Sequence, residues 1–205
     1  MDCLGTVERV LMKIEIISQI EGSIEVKRAL LNDAKLVSQI EELAELCLKC
    51  LRSDGKIIFA GNGGSFADAQ HLSAEFISRF MFNRGPLASM VLGANNSAIS
   101  AIGNDYGYEL VFARELLGVA KTGDVFIPIS TSGQSPNILK AVEQANELGL
   151  DTFGFTGSKG GTLSKSCKCL CVPSVETARI QECHIMMGHI VCCQVEARYF
   201  KEEIH

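Results

Sequence analysis

Two features of the segment Lys56–Glu75, KIIFAGNGGSFADAQHLSAE, have the residue types and spacing for chemistry. His71 and Glu75 are four residues apart, so on a helix an imidazole and a carboxylate leave the same face. Together they could bind a metal or serve as an acid/base pair, although spacing alone leans toward a local His–Glu hydrogen bond. The second feature is the Gly/Ser turn Gly61–Ser65, between the apolar run Ile57–Ala60 and that helix. Backbone N–H groups, a hydroxyl and the positive end of a helix dipole make such a turn a site for an anion.

A second turn of this kind lies downstream. STSGQS supplies four hydroxyls in six residues, Ser130, Thr131, Ser132 and Ser135, after DVFIPI and before a helix with Pro136 in its first turn. Capping that helix would need only Ser135. The excess of hydroxyls, with Gly133, reads as a phosphate cradle. Neither turn is a Walker A loop, because no Gly-Lys-Ser/Thr follows. Gly61, Gly63 and Gly64 match a dinucleotide fingerprint only loosely, with no acidic residue placed to hold a ribose.

The last apolar helix, TARIQECHIMMGHIVCCQVE, carries Gln181, Glu182, His184 and His189. Buried polar groups need partners, so this set asks for an explanation. Glu182 and His189, at i and i+7, overlay better than Gln181 and His189 at i and i+8, and His184 lies well round from His189. Spacing selects no ligand set here. Arg79 and Arg179 are candidate phosphate or sugar contacts, against the alternative of surface ion pairs. Asn104 and Asp105, in AIGNDYGYE, read locally as a turn after an apolar helix.

The nine cysteines do not form a zinc ribbon, since Cys47-x-x-Cys50 has no second pair. The periodic setting LAELCLKCL makes Cys47 and Cys50 helix packing residues. Cys167, Cys169 and Cys171 alternate and so share one face of a strand. Three thiols at period two do not converge easily on one ion, and half-buried packing is the simpler reading. Cys183, Cys192 and Cys193 read as packing residues of the last helix.

The elements that must position these groups follow from texture. Val7–Leu51 has helical periodicity and no proline, with Gly22 and the segment near Asn32 dividing it into two or three helices. From Lys56, short apolar runs alternate with helical stretches: KIIFA and a helix to about Phe80, then LASMVL and a helix around 97–102. DVFIPIS and a helix over 136–148 come next, then DTFGFTG and a short helix near 162–166, and finally CKCLCVPS and a long helix from about Thr177 to Glu203. Alternating strands and helices imply right-handed crossovers and a mostly parallel sheet, a doubly wound α/β domain behind a helical arm. Its ligands are expected beyond the carboxyl ends of the strands, where the two Gly/Ser turns lie.

With 205 residues, the chain is long enough for a full core in one domain. A net charge of -5 argues against a general nucleic-acid binder. No apolar run is long enough to span a bilayer, and MDCLGTVERVLMK shows no cleavable signal pattern, so a cytoplasmic protein with no membrane partner is expected.

Taken in order, GNGGSxADAxH, IGNDYGYE, STSGxSPN and TARIQExH with a further His resemble the sugar isomerase (SIS) fold. Within it they resemble the phosphoheptose isomerase (sedoheptulose 7-phosphate isomerase) family. The resemblance runs from about Lys56 to Glu196 and implies a single SIS domain over 1–205, with a helical arm at 1–54 and an α/β core at 55–205. It implies a cytoplasmic homotetramer that converts sedoheptulose 7-phosphate to D-glycero-D-manno-heptose 7-phosphate, the first step toward the heptose of bacterial surface polysaccharides. By the same resemblance, Asn62, Gly63, Gly64 and Ser65, with Asn104 and Asp105, would bind substrate. Ser130, Thr131, Ser132 and Ser135 would hold its phosphate. His71, Glu75, Gln181 and His189 would coordinate one zinc ion per subunit, with Glu75 and Gln181 also on the substrate and Glu75 and His189 as the acid/base pair. Glu182 and His184 are left as structural residues, and the phosphate moves from the first turn to the second.

Phe66 and Gln134 depart mildly from the family pattern, Phe66 with scope to reshape the pocket wall. The chemistry suits the residues: moving a proton between adjacent carbons through an enediol needs a base for the carbon-bound proton and an acid for the carbonyl oxygen. A non-catalytic SIS scaffold that binds the bacterial replication initiator is one alternative, and an isomerase of another sugar phosphate, such as arabinose 5-phosphate, is a second.

Overall fold

The computed structural model describes residues 3–200, with side chains from residue 8 onward. The helical arm is α1 (Cys3–Leu31) and α2 (Ala34–Arg52). The break lies at Asn32–Asp33 alone, where the Asp33 carboxylate accepts the Leu36 N–H at 3.0 Å and caps α2. Gly22 does not divide the arm. A lone glycine costs a helix only about 1 kcal/mol relative to Ala, too little to end a long one. In α2, Leu36, Ile40, Leu43, Cys47, Cys50 and Leu51 make one buried stripe, so Cys47 and Cys50 are core residues as their periodicity indicates. Burial pushes the Cys50 thiol up to about 11.

The sheet has five parallel strands in the order β2-β1-β3-β4-β5, namely β1 (Ile57–Gly61), β2 (Ser89–Val91), β3 (Val125–Ile129), β4 (Asp151–Gly157) and β5 (Lys168–Val172). Ile57 and Phe59 of β1 enter one core and Ile58 and Ala60 the other. Both faces are covered, which is why the strands read as unbroken apolar runs. One core packs against α2, α3 (Gly64–Ile77) and α8 (Thr177–Tyr199). The other packs against α4 (Asn96–Tyr106), α5 (Val111–Val119), α6 (Pro136–Glu147) and α7 (Leu163–Ser166). Cys167, Cys169 and Cys171 all sit on that second side, with Cys169 buried, so they share a face as their alternation requires.

Two expectations need correction. Asn104 and Asp105 are not in a turn after the helix but in the last turn of α4, which ends only at Gly107 with φ 93. The sequence pattern also passes over α5, a nine-residue helix whose buried face, Val111, Phe112, Ala113 and Leu116, is too short to establish a period. The Glu203 end proposed for the last helix lies outside the described residues.

The chain runs from β1 outward to β2 and then crosses back to β3 on the other side of β1. The crossover direction therefore reverses between β1 and β3, which opens a crevice beyond their carboxyl ends.

On α8, His184 is 0% exposed. Its Nε2 lies 3.2 Å from the Thr156 carbonyl and its ring packs edge-on to Phe155. It is a structural histidine. Burial lowers its pKa from 6.5 to about 4, against the opposing pull of the Thr156 carbonyl. The unfolded chain thus takes up the proton first. The stability of the neutral form is intact above about pH 6.5 and is lost as pH falls toward 4. Between pH 7 and pH 5 the folded state should lose about 2 kcal/mol, roughly 4–8 °C in Tm. Thermal melts of His184→Leu should lack that part of the pH dependence, and an equal slope in the variant would assign the effect elsewhere.

Candidate active site

The register of β1 on β3 pairs Gly61 with Ile129, so the turns that follow them emerge side by side at the crevice. They are bolted together by a reciprocal amide pair: Asn62 Nδ2 donates to Asn137 Oδ1, and Asn137 Nδ2 to Asn62 Oδ1, both at 2.9 Å. Tyr108 Oη adds a contact to Asn62 Oδ1 at 3.3 Å. Gly61 must be glycine, because a Cβ there would lie 2.4 Å from the Ser65 carbonyl oxygen. Ser65 is buried, while Gly63 and Gly64 are exposed where α3 begins.

In the second turn Ser130 is buried, and its Oγ lies 3.0 Å from Ser135 Oγ. Ser135 occupies the N-cap position of α6 yet makes no side-chain cap bond. Ser132 Oγ accepts the Gln134 N–H at 3.2 Å. Gly133, at φ 64, passes so close to the next loop that a Cβ would stand 2.1 Å from the Gly160 carbonyl oxygen. Leu163 N–H donates to the Gly133 carbonyl at 3.0 Å, and Thr162 Oγ1 donates to Gln134 Oε1 at 2.9 Å. The β4–α7 loop thereby fixes the shape of the hydroxyl turn. Thr131 and Ser132 open onto a cavity of about 480 Å³ that also holds Lys159, Lys165 and Thr177.

The third component lies between α3 and α8. His71 Nε2 stands 2.8 Å from His189 Nε2, across 118 residues of sequence, and 3.2 Å from Glu75 Oε1. Donor atoms of His71, Glu75 and His189 all lie within 4.8 Å of one another, the one such His/Cys/Asp/Glu cluster among the described residues. Burial first, and then the neighbouring His71, lowers the His189 pKa, while Glu75 opposes the shift. Phe80 stacks on the His189 ring, with centroids 5.5 Å apart and planes 25° apart.

The Gln181 amide lies against the N-terminus of α3, where a Cβ on Gly64 would be 2.3 Å from Gln181 Nε2. Asn104 Nδ2 donates to Asp105 Oδ1 at 2.8 Å on the exposed face of α4, and the described side-chain hydrogen bonds join neither residue to the histidine cluster. Glu182 is structural: its carboxylate takes Ser23 Oγ at 2.6 Å and Lys27 Nζ at 3.3 Å, tying α8 to α1. Arg179 pairs with Glu182 at 3.0 Å and reaches the Gln19 carbonyl, so the ion-pair reading holds for it. Arg79 is exposed after α3. Phe66 lines a small cavity of about 110 Å³ with Asn62, Gly93 and Tyr108. Asn137 and Tyr108, which hold Asn62, were not singled out by residue type. The one signal for Asn137 was its place in the STSGxSPN motif.

The SIS domain family model matches residues 18–157, from within α1 to the end of β4. A phosphoheptose isomerase of Aneurinibacillus thermoaerophilus is 49% identical over 187 residues, covering 91% of this chain and 94% of that protein. The chain belongs to the phosphoheptose isomerase family. Solved structures of this family agree in fold. Phosphoheptose isomerase GmhA from Neisseria gonorrhoeae superposes with TM-score 0.84 at 38% identity, over 91% of this chain and 99% of its own. A phosphoheptose isomerase from Francisella tularensis gives 0.85 at 33% identity, over 90% and 98%. The expected SIS fold, a parallel sheet flanked by helices behind an N-terminal helix, is the fold observed, and the family's name is that of an enzyme class.

The free N-cap position of Ser135 gives a direct test of the phosphate turn. Ser135→Ala loses no cap bond but loses the contact to Ser130 Oγ, so Tm should fall by about 2–4 °C, the worth of one hydrogen bond. KM for a phosphorylated sugar should rise about ten-fold or more, the worth of one hydrogen bond to a charged group. An unchanged KM would leave Ser135 as a structural partner of Ser130 and remove it from the phosphate site.

Proposed function

We propose that the chain is an aldose–ketose isomerase that converts sedoheptulose 7-phosphate to D-glycero-D-manno-heptose 7-phosphate through an enediol. The observation that carries this reading is the convergence of His71, Glu75 and His189 between α3 and α8, in a chain of the phosphoheptose isomerase family. Ser130, Thr131, Ser132 and Ser135 hold the phosphate. Asn62, Gly63, Gly64 and Ser65, with Gln181, Asn104 and Asp105, bind the sugar. Glu75 is the base for the carbon-bound proton and His189 the acid for the carbonyl oxygen; as the enediol collapses, Glu75 gives its proton to the neighbouring carbon and His189 regains one from the neighbouring hydroxyl, which becomes the new carbonyl. A lowered pKa makes the His189 imidazolium a readier proton donor. Glu75 turns Oε1 toward His71, which leaves its other oxygen for the substrate.

The donor set suits a metal. Two imidazole nitrogens 2.8 Å apart oppose their lone pairs unless a proton or a cation lies between them, and a carboxylate oxygen completes the group. His71, Glu75, Gln181 and His189 would hold one zinc ion per subunit, which when bound would polarise the substrate carbonyl, with Glu75 and His189 as long or exchangeable ligands that are released to move protons. A purely scaffolding SIS module has no use for this set, so the scaffold reading is not favoured. The HxxxE and RIQExH motifs fit the heptose enzyme better than an arabinose 5-phosphate isomerase.

Self-association as a homotetramer is supported by α1, which leaves Leu11, Met12, Ile14 and Ile20 each more than half exposed. An uncovered apolar face of this extent marks an interaction surface. A cytoplasmic location is supported by the eight described cysteines, all free thiols. No helix among the described residues is long and apolar enough to cross a membrane.

Purified protein should isomerise sedoheptulose 7-phosphate, lose that activity on chelation and regain it with zinc. Glu75→Gln should lower kcat by about 10³-fold or more, as loss of an essential base does, while substrate binding changes little. Near-normal turnover in this variant would remove Glu75 from the chemistry. Light scattering should give the mass of four 22.2 kDa chains, and Ile14→Glu with Ile20→Glu should reduce it; a monomeric parent would overturn the tetramer.

A further inference from the structure

Arg84 and Glu196 form an ion pair whose side chains are 2% and 1% exposed, with Nε 2.8 Å from Oε1. Burying two charges is costly, and an apolar pair of similar volume often stabilises a fold equally well. What such a pair would lack is the set of bonds found here. The Arg84 guanidinium donates through Nη2 to the Glu75 carbonyl at 2.7 Å and through Nη1 to the Phe76 carbonyl at 2.6 Å. These carbonyls belong to the last turn of α3, whose final C=O groups have no partners within the helix. The Glu196 carboxylate accepts the Phe80 N–H at 2.8 Å and the Met81 N–H at 2.7 Å. Burial pushes its pKa up, but these N–H groups and Arg84 outweigh burial and hold it below the ordinary carboxylate value. Phe80 in turn lies stacked on His189. One buried pair thus grips the backbone of Glu75 on α3 and, through Phe80, the ring of His189 on α8.

We propose that Arg84 and Glu196 are positioning residues for the isomerase, setting the placement of Glu75 against His189 while touching neither substrate nor the reacting atoms. This rests on the assignment of Glu75 and His189 as the acid/base pair. Lysine keeps the charge at position 84 but lacks the planar fork that reaches several acceptors at once. The phosphate turn lies on β3 and α6, outside this set of bonds, so binding and turnover should separate.

The test measures kcat and KM with sedoheptulose 7-phosphate for Arg84→Lys and for Phe80→Leu, which removes the stacked ring and leaves the ion pair in place. The histidine ring resonances are recorded by NMR alongside. In Arg84→Lys, kcat should fall about 10–100-fold, as for a misplacement of about 1 Å, with KM within about threefold. The His189 resonance should move, while that of buried His184 on the same helix stays. Phe80→Leu should move the His189 resonance and lower kcat in the same direction. A kcat within about twofold of the parent in both variants overturns the proposal, whether or not the resonance moves. So does a kcat loss accompanied by an equal shift of His184, which marks general unfolding. If Arg84→Lys does not fold, Phe80→Leu decides alone by the same limits. An inactive parent would instead overturn the isomerase reading, and the NMR comparison would still report whether the clamp sets the His189 ring.

Discussion

The close approach of α3 to α8 is the contact on which the site depends. Gly188 makes it possible: a Cβ there would lie 2.5 Å from both terminal carbons of Leu72. Leu72 follows His71 and Gly188 precedes His189, so the residues that touch at the helix crossing are neighbours of the residues that meet beside it. A second glycine acts at the other end of the same contact, where Gly64 leaves room for the Gln181 amide. With larger residues at these positions the helices would stand further apart, and two ring nitrogens 2.8 Å from each other would not be reached. The chemistry of this region is therefore set by the absence of side chains at two points as much as by the presence of His71, Glu75 and His189.

The sheet supplies a second, independent constraint. Reversal of the crossover direction between β1 and β3 brings two Gly/Ser turns to one crevice. Each turn is then shaped by a different neighbour: the first by the Asn62–Asn137 amide pair, the second by the glycine loop after β4. Backbone and amide bonds do this work, which leaves the hydroxyls of Ser130 and Ser135 free to face each other rather than cap α6. The proposed phosphate-binding turn and the proposed acid/base cluster are held by separate sets of contacts. In the proposed reaction, that separation would let grip on a phosphate and turnover at a carbonyl vary independently.

Local chemistry made much of this legible in the sequence. Unbroken apolar runs marked strands buried on both faces, the i,i+4 spacing placed His71 with Glu75, and hydroxyl density marked the second turn. The meeting of His71 with His189 was not legible from spacing, because helical periodicity relates residues within one element and says nothing of 118 residues of separation; family resemblance alone joined them. The Arg84–Glu196 clamp gave no signal at all. Arg84 sits in an irregular segment, and a glutamate near the end of a helix looks like any solvated residue until its 1% exposure is known. Gly22 misled in the opposite direction, since a helix as long as α1 absorbs a penalty that would end a short one.

In the proposed mechanism, the two acid/base roles fall to different helices. His189 is drawn toward its neutral form by burial and by the nearby His71, so a proton placed on it is readily given up. Glu75, less than a quarter exposed, is the one carboxylate in the cluster, with Oε1 3.2 Å from His71 Nε2. Exchanging the roles would make His189 the base and would require the Glu75 carboxyl to carry the proton. A group that gives up its proton readily is a weak base for a carbon-bound proton, so the division of labour follows from where His189 is buried and from what it faces.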